Sequence, residues 1–271
     1  MRIVVTGTRG IPDILGGVET HCEELFPRIA RKDIDVTLIR RKSYVHDSLT
    51  EYKGIKLVDL VTPKKKSFEA IIHTFKAILK AKSLHADIVH IHAIGPALVT
   101  PLARLLGMKV VFTHHGPDYD RDKWGFAAKT MLRLGERMGC MFANEVIVIS
   151  EVINDLLVRK YGRRDCHLIY NGVPAPDKVA DTDYLNSLGV EPCKYVFAMG
   201  RFVPEKNFHQ LIRAFAALKQ QNYKLVLAGD TDFEDDYSKK LKSLAKENGV
   251  ILTGFLSLIH ISEPTRPISI S

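Results

Sequence analysis

Two cations, Arg201 and Lys206, sit in MGRFVPEKN (199–207), a short loop between a strand-like run and a helix-like run. Cations beside a helix N-terminus converge on phosphate. The first N–H groups of the helix carry positive partial charge, and a guanidinium offers a planar pair of donors. A solvated loop with ordinary surface charges is the competing reading. A second candidate lies near the start of the chain. There a β-branched run (Ile3, Val4, Val5) leads into a loop holding Gly7, Gly10, Gly16 and Gly17, and then into a helix with Val18, Cys22, Leu25 and Phe26 at helical spacing. Glycine lets backbone approach a ligand closely. GTRGIPDILGGVE nevertheless lacks both the G-x-G-x-x-G spacing and the G-K-[ST] ending of nucleotide loops. From these residues alone, a phosphate site and a plain βα turn stay equally open.

Four histidines, His90, His92, His114 and His115, fall at the ends of successive strand-like runs. His90 and His92 are one residue apart on a strand and so share a face. No carboxylate or cysteine completes a zinc ligand set, and no metal is expected. Core or supporting roles suit His90, His92 and His114. A retaining hydrolase would need two carboxylates about 5 Å apart, and the acidic residues show no motif for such a pair.

The elements that must position these residues alternate in type. Val36–Ile39, Ile55–Val58, Ile88–Ile91, Val110–Thr113 and Val146–Ile149 read as strands separated by helical patterns. Residues 67–81 read as an amphipathic helix with Ile71, Ile72, Phe75, Ile78 and Leu79 on one side. Regular βα alternation predicts a parallel sheet covered on both faces, with ligands beyond the carboxyl ends of the strands. After a Pro-, Asp- and Asn-rich stretch the pattern restarts at Tyr195–Ala198, then a helix over 207–218, then strands at Leu225–Leu227 and Val250–Leu252. The expected organisation is a complete Rossmann-like domain over 1–170, a linker region over 171–194 and a partial second Rossmann-like domain over 195–255. Residues 256–266 (LSLIHISEPTR) coincide with a one-frame translation of a transposon-type sequencing adapter, and Pro267 to Ser271 continue in register. The stretch 256–271 is therefore expected to be non-native and is set aside.

The chain has 271 residues, 46% of them hydrophobic, and a net charge of +8. That excess suits an anionic ligand or an acidic membrane surface, while no nucleic-acid-binding motif is present. Cys22, Cys140, Cys166 and Cys193 show no C-x-x-C spacing, which fits a reducing cytoplasmic setting. No uninterrupted apolar run is long enough to span a bilayer. Lys64–Lys66, Lys76, Lys80 and Lys82 make one helix and its approach basic. Peripheral contact with an anionic membrane and a solvated helix face are both open readings of that feature.

GRFVPEKNFHQLIRAF (200–215) resembles the donor-binding motif of retaining GT-B glycosyltransferases of family 4. Gly16-Gly17-Val18-Glu19, the strand-end histidines and IYNGV (169–173) match the same family in order. GTRGIP…GGVET and HHGPDYDRDKWG (114–125) resemble a narrower subgroup associated with rhamnosyl transfer in polysaccharide assembly. The resemblance covers residues 1–255. It implies two Rossmann-like domains facing a cleft, a nucleotide sugar mainly on the second, and a glycan or lipid-linked acceptor mainly on the first. Arg201 and Lys206 would hold the donor diphosphate, with Gly16 and Gly17 against it. His115 would orient the transferred sugar or polarise its hydroxyls; a structural role is the alternative. Glu19, Arg121, Lys123, Trp124 and Asn171 are candidate sugar or acceptor contacts, and Trp124 is equally a helix anchor. No cofactor beyond the nucleotide-sugar substrate is implied. The family's later glutamate pair, eight positions apart, lies beyond this chain, so turnover by the chain itself is expected to be weak or absent. A GT-B-like sugar-nucleotide epimerase and a non-catalytic binding module are the other readings.

Overall fold

Consecutive residues of β1 (Arg2–Thr6) serve opposite faces of one sheet, as strand geometry requires. Val5 packs with Val36 and Leu38 of β2 (Asp35–Arg41) and with Cys22 and Phe26 of α1 (Gly17–Ile29). Val4 and Ile39 face the other way, into a larger core. A computed structural model of the chain describes residues 1–14, 16–62, 69–120, 124–173, 182–218, 222–231 and 234–255.

Further along come β3 (Glu51–Tyr52), β4 (Ile55–Leu60), α2 (Glu69–Ser83), β5 (Ile88–His92), α3 (Thr100–Leu105) and β6 (Lys109–His114). The first unit is completed by α4 (Phe126–Phe142), β7 (Glu145–Val148), α5 (Glu151–Tyr161) and β8 (His167–Leu168). Among the described residues these strands form one eight-stranded sheet in the order β3-β4-β2-β1-β5-β6-β7-β8. Pairing is parallel except between β3 and β4. The larger core sets Val89, Ile91, Val110, Phe112, Val146 and Val148 against Ala77, Ile78, Cys140, Ile153 and Leu157 of the helices. Helices therefore cover both faces. The strand order turns at β1 and β5, which is where parallel α/β sheets open a crevice.

The chain divides into two compact units, Met1–Val173 and Pro174–Ser271. In the second, β9 (Tyr195–Met199), β10 (Lys224–Ala228) and β11 (Ile251–Gly254) form a parallel sheet ordered β11-β10-β9. With it come α6 (Asp183–Ser187), α7 (Phe208–Ala217) and α8 (Asp236–Glu247). Helix α6 falls inside the stretch read as linker, and Leu185 and Val190 pack on Val226. Frequent Asp, Asn and Pro hid that apolar spacing. The adapter-like stretch 256–271 lies outside the described residues.

One helix face differs from its expectation. The inward residues of α2 are His73, Thr74, Ala77, Ile78 and Ala81, whereas Phe75 and Leu79 are each 46% exposed. Small and polar residues let this helix lie close to the sheet: His73 Nε2 lies 3.3 Å from Arg40 O of β2, while the Thr74 hydroxyl is satisfied within the helix by donating to Ala70 O. Phe75 and Leu79 are left on the outside, and Ile78 is the one large aliphatic residue of the helix that is fully buried.

Candidate functional site

The loop after β1 is tied down by a carboxylate from the helix it precedes. Glu19 is buried, and its Oε1 accepts from the Thr8 hydroxyl (3.2 Å) and the Arg9 N–H (3.0 Å). Gly16, the residue before α1, has φ +156°, and a Cβ there would stand 1.9 Å from Glu19 Oε2. A Cβ on Gly17 would meet nothing within 4 Å among the described residues. The two glycines thus differ. Gly16 makes room for Glu19, while Gly17 leaves the helix N-terminus open to anything that approaches. Glu19, a candidate sugar contact from sequence, is turned inward and holds the loop. Behind the loop, fully buried Arg40 donates to Ile11 O and pairs with Asp47 and Asp59.

Strands β1, β5 and β6 are neighbours, so the loop after β1 lies beside the histidines that end the other two. His90 and His92 stack with ring centroids 4.3 Å apart, and His92 stacks on His115 at 5.2 Å. Phe26 of α1 meets His90 and His92 edge-on, and His21 of α1 meets His115 edge-on at 5.4 Å. His92 Nδ1 lies 2.9 Å from His115 Nε2, and His90 Nε2 lies 2.7 Å from Thr113 Oγ1. Burial, reinforced by the neighbouring rings, pushes His90 down to about 3 and His115 to about 4. The same causes place His92 well below its ordinary value. These rings are neutral near pH 7. Among the described residues, no three His, Cys, Asp or Glu side chains stand together as a metal-holding group.

His114 faces elsewhere. Its Nδ1 accepts from the Gly116 N–H (3.1 Å), which places the ring proton on Nε2, 3.0 Å from Glu136 Oε1. Glu136 is fully buried and also accepts from the Tyr119 and Tyr161 hydroxyls (3.0 and 2.6 Å) and from Lys160. Burial pushes its carboxyl up, but donation from His114, Lys160 and Tyr161 outweighs this and holds it at about 2. This network pins the HHG turn to α4 and α5, and so positions His115.

In the second unit, Phe202 carries the cationic loop. It is 1% exposed, packs edge-on against Phe208, and its N–H donates to Asp230 O at 3.0 Å. With Phe202 inward, Arg201 and Lys206 are exposed on either side of it. Lys206 Cδ lies 3.8 Å from where a Cβ on Gly200 would stand, so this side chain runs back along the loop. Gly229, at φ +123°, admits the Gly200 carbonyl, whose oxygen would lie 2.0 Å from a Cβ. The turns after β9 and β10 are thereby locked together at the start of α7.

Asn171 is exposed and Trp124 is half-buried just ahead of α4. Arg121, Lys123 and Lys64–Lys66 lie outside the described residues. Sequence reasoning missed His21 and Glu136. His21 follows Gly17 by one helical turn, so their shared face was readable; Glu136 sits mid-helix with no local pattern that marks it.

Two parallel α/β units, with a glycine turn at a strand switch point in one and a cationic loop opening a helix in the other, define a GT-B fold. The chain belongs to glycosyltransferase family 4: the model for Glycosyltransferase Family 4 matches residues 15–175, and that for Glycosyl transferases group 1 matches residues 185–263. It is similar to the uncharacterized glycosyltransferase YqgM of Bacillus subtilis, 29% identical over 176 residues, covering 63% of this chain and 47% of YqgM. It is also similar to the alpha-monoglucosyldiacylglycerol synthase of Streptococcus pneumoniae, 27% identical over 201 residues, covering 67% of this chain and 45% of the synthase. The chain thus spans about half the length of these two relatives. Anabaena HepE, solved in complex with UDP and glucose, shares the fold with a TM-score of 0.73 and 22% identity, over 96% of this chain and 70% of HepE.

Proposed function

We propose that this chain is part of a retaining, metal-independent glycosyltransferase that moves a sugar from a nucleotide-sugar donor to a glycan or lipid-linked acceptor. The observation that carries the reading is the outward placement of Arg201 and Lys206 on a loop anchored by Phe202 at the start of α7. Cleaving a sugar–phosphate bond leaves negative charge on the departing diphosphate, and fixed cations stabilise it; one such preorganised donor is typically worth about 3–4 kcal/mol. HepE, with UDP and glucose bound, supports a nucleoside-diphosphate donor. In this reading Gly17 leaves the α1 N-terminus open to the donor, and His115 with His21 contacts the transferred sugar. Rhamnose as that sugar, and polysaccharide biosynthesis as the setting, rest on the subgroup-like GTRGIP and HHGPDYDRDKWG segments.

A lipid-linked acceptor would bring the first unit to a cytoplasmic membrane face. Helix α2 supports this: Phe75 and Leu79 are outward on the same helix as Lys76, Lys80 and Lys82, the composition of an interfacial helix. Among the described residues no helix is long and apolar enough to cross a membrane. Binding to acidic vesicles should weaken with salt and with charge reversal at Lys76 and Lys80; unchanged partitioning removes the membrane contact.

The test of the donor site is calorimetric titration with UDP, dTDP and GDP, alone and sugar-linked, on the wild type and on Arg201→Ala. Binding that falls at least tenfold in the variant supports the diphosphate role, and undiminished binding overturns it. Turnover of a free nucleotide sugar without any acceptor would favour the epimerase reading instead.

A further inference from the structure

The histidine stack holds one polar atom with no obvious purpose. His92 is fully buried between the rings of His90 and His115, with Phe26 edge-on. Its Nδ1 faces His115 Nε2 at 2.9 Å, while its own Nε2 is buried with no hydrogen-bond partner among the described residues. A neutral imidazole carries a single proton, so one ring must donate in this contact and the other accept. If His115 donated from Nε2, His92 would bear its proton on Nε2 and leave a buried N–H unpaired. Orphaned buried N–H groups are the rarer defect, because a bare acceptor is tolerated more often than an unused donor. The proton of His92 therefore belongs on Nδ1.

We infer that His92 is a positioning residue that sets the tautomer of His115, donating from Nδ1 to His115 Nε2 so that His115 presents Nδ1–H outward as a hydrogen-bond donor. Resting on the functional reading above, this gives His115 a definite chemistry. It donates to an oxygen of the bound ligand, a sugar hydroxyl or ring oxygen, and Nδ1 is not available to take a proton from one. Its ring is held in the stack by His92 and His21, and its backbone by the His114–Glu136 anchor. A sugar is thus recognised by a fixed donor rather than deprotonated by a base.

Long-range 1H–15N spectra of the 15N-histidine-labelled chain near pH 7.5 test this, with His115 assigned by its loss in His115→Gln. The expected result is an unprotonated-type shift at His115 Nε2 and a protonated-type shift at Nδ1. In His92→Phe both shifts should move toward the averaged values of a ring exchanging tautomers. In His92→Gln, whose amide still donates, the wild-type pattern should return. A proton on Nε2 in the wild type, or an unchanged His115 in His92→Phe, overturns the inference; the wild-type spectrum decides even if His92→Phe does not fold. No donor or acceptor is needed, so this outcome is separate from the Arg201→Ala titration that tests the enzyme reading.

Discussion

Gly16 and Glu19 share one space: the volume a Gly16 side chain would fill is occupied by the Glu19 carboxylate that ties down the first loop. Gly16→Ala must therefore expel Glu19 and also strain a backbone at φ +156°, at a cost of about 1–3 kcal/mol in denaturant unfolding. Gly17→Ala, with open space around it inside a helix, should leave stability unchanged or raise it by about 0.5–1 kcal/mol. If a ligand closes on that helix N-terminus, Gly17→Ala will still weaken donor binding. Two adjacent glycines are thereby separated by stability and titration.

The same logic applies to Gly229 and the Gly200 carbonyl. Gly229→Ala should destabilise the second unit by about 2 kcal/mol or more, because the clash is with backbone and cannot be relieved by a rotamer change. Lys206→Ala, at an exposed position, should stay within about 0.5 kcal/mol of wild type and lose donor affinity instead. Urea titration of the three proteins, followed by fluorescence and by donor binding, checks both.

Removing the buried Glu136 carboxylate strands the donors of His114, Tyr119 and Tyr161. Glu136→Ala should cost about 2–4 kcal/mol, with the Lys160 contribution discounted because that side chain is 37% exposed. The shift in urea midpoint measures it, and loss of sugar selectivity with retained nucleotide binding is the expected companion.

Acid should destabilise the first unit in two overlapping windows. His73 and His115 are held at about 4 and His90 at about 3, all below the ordinary 6.5 and chiefly by burial. The unfolded chain then binds more protons below 6.5, so stability falls as pH drops from 6.5 toward these values. Each of the buried pair His73 and His90 contributes up to about 1.4 kcal/mol per pH unit. Glu136 acts lower: its contribution is complete above 4.5 and is lost as pH falls toward 2. Unfolding midpoints at pH 7.5, 5.5 and 4.5 should show the first window; a flat profile would contradict the buried neutral histidines.

The strands were readable because runs such as Ile3–Val5 and Val146–Ile149 are apolar on both faces and bounded by polar turns. Two-residue strands β3 and β8 are too short to leave a period, and they went unseen. Helix α2 misled for another reason. Two of its large apolar residues, Phe75 and Leu79, point out, and around Ile78 the inward face is built from Ala, Thr and His, which an apolar count undervalues.

Sequence by itself determined the βα order, the two-unit division in outline, and the loops that carry Gly16-Gly17 and Arg201–Lys206, because spacing along the chain encodes which residues share a face or open a helix. Only the tertiary structure decided that Glu19 turns inward, that Gly16 and Gly17 do different work, and that His21, His92 and His115 meet. Those contacts join residues from α1, β5 and the end of β6, and which side chains touch there follows from sheet order and strand register, which no local spacing records.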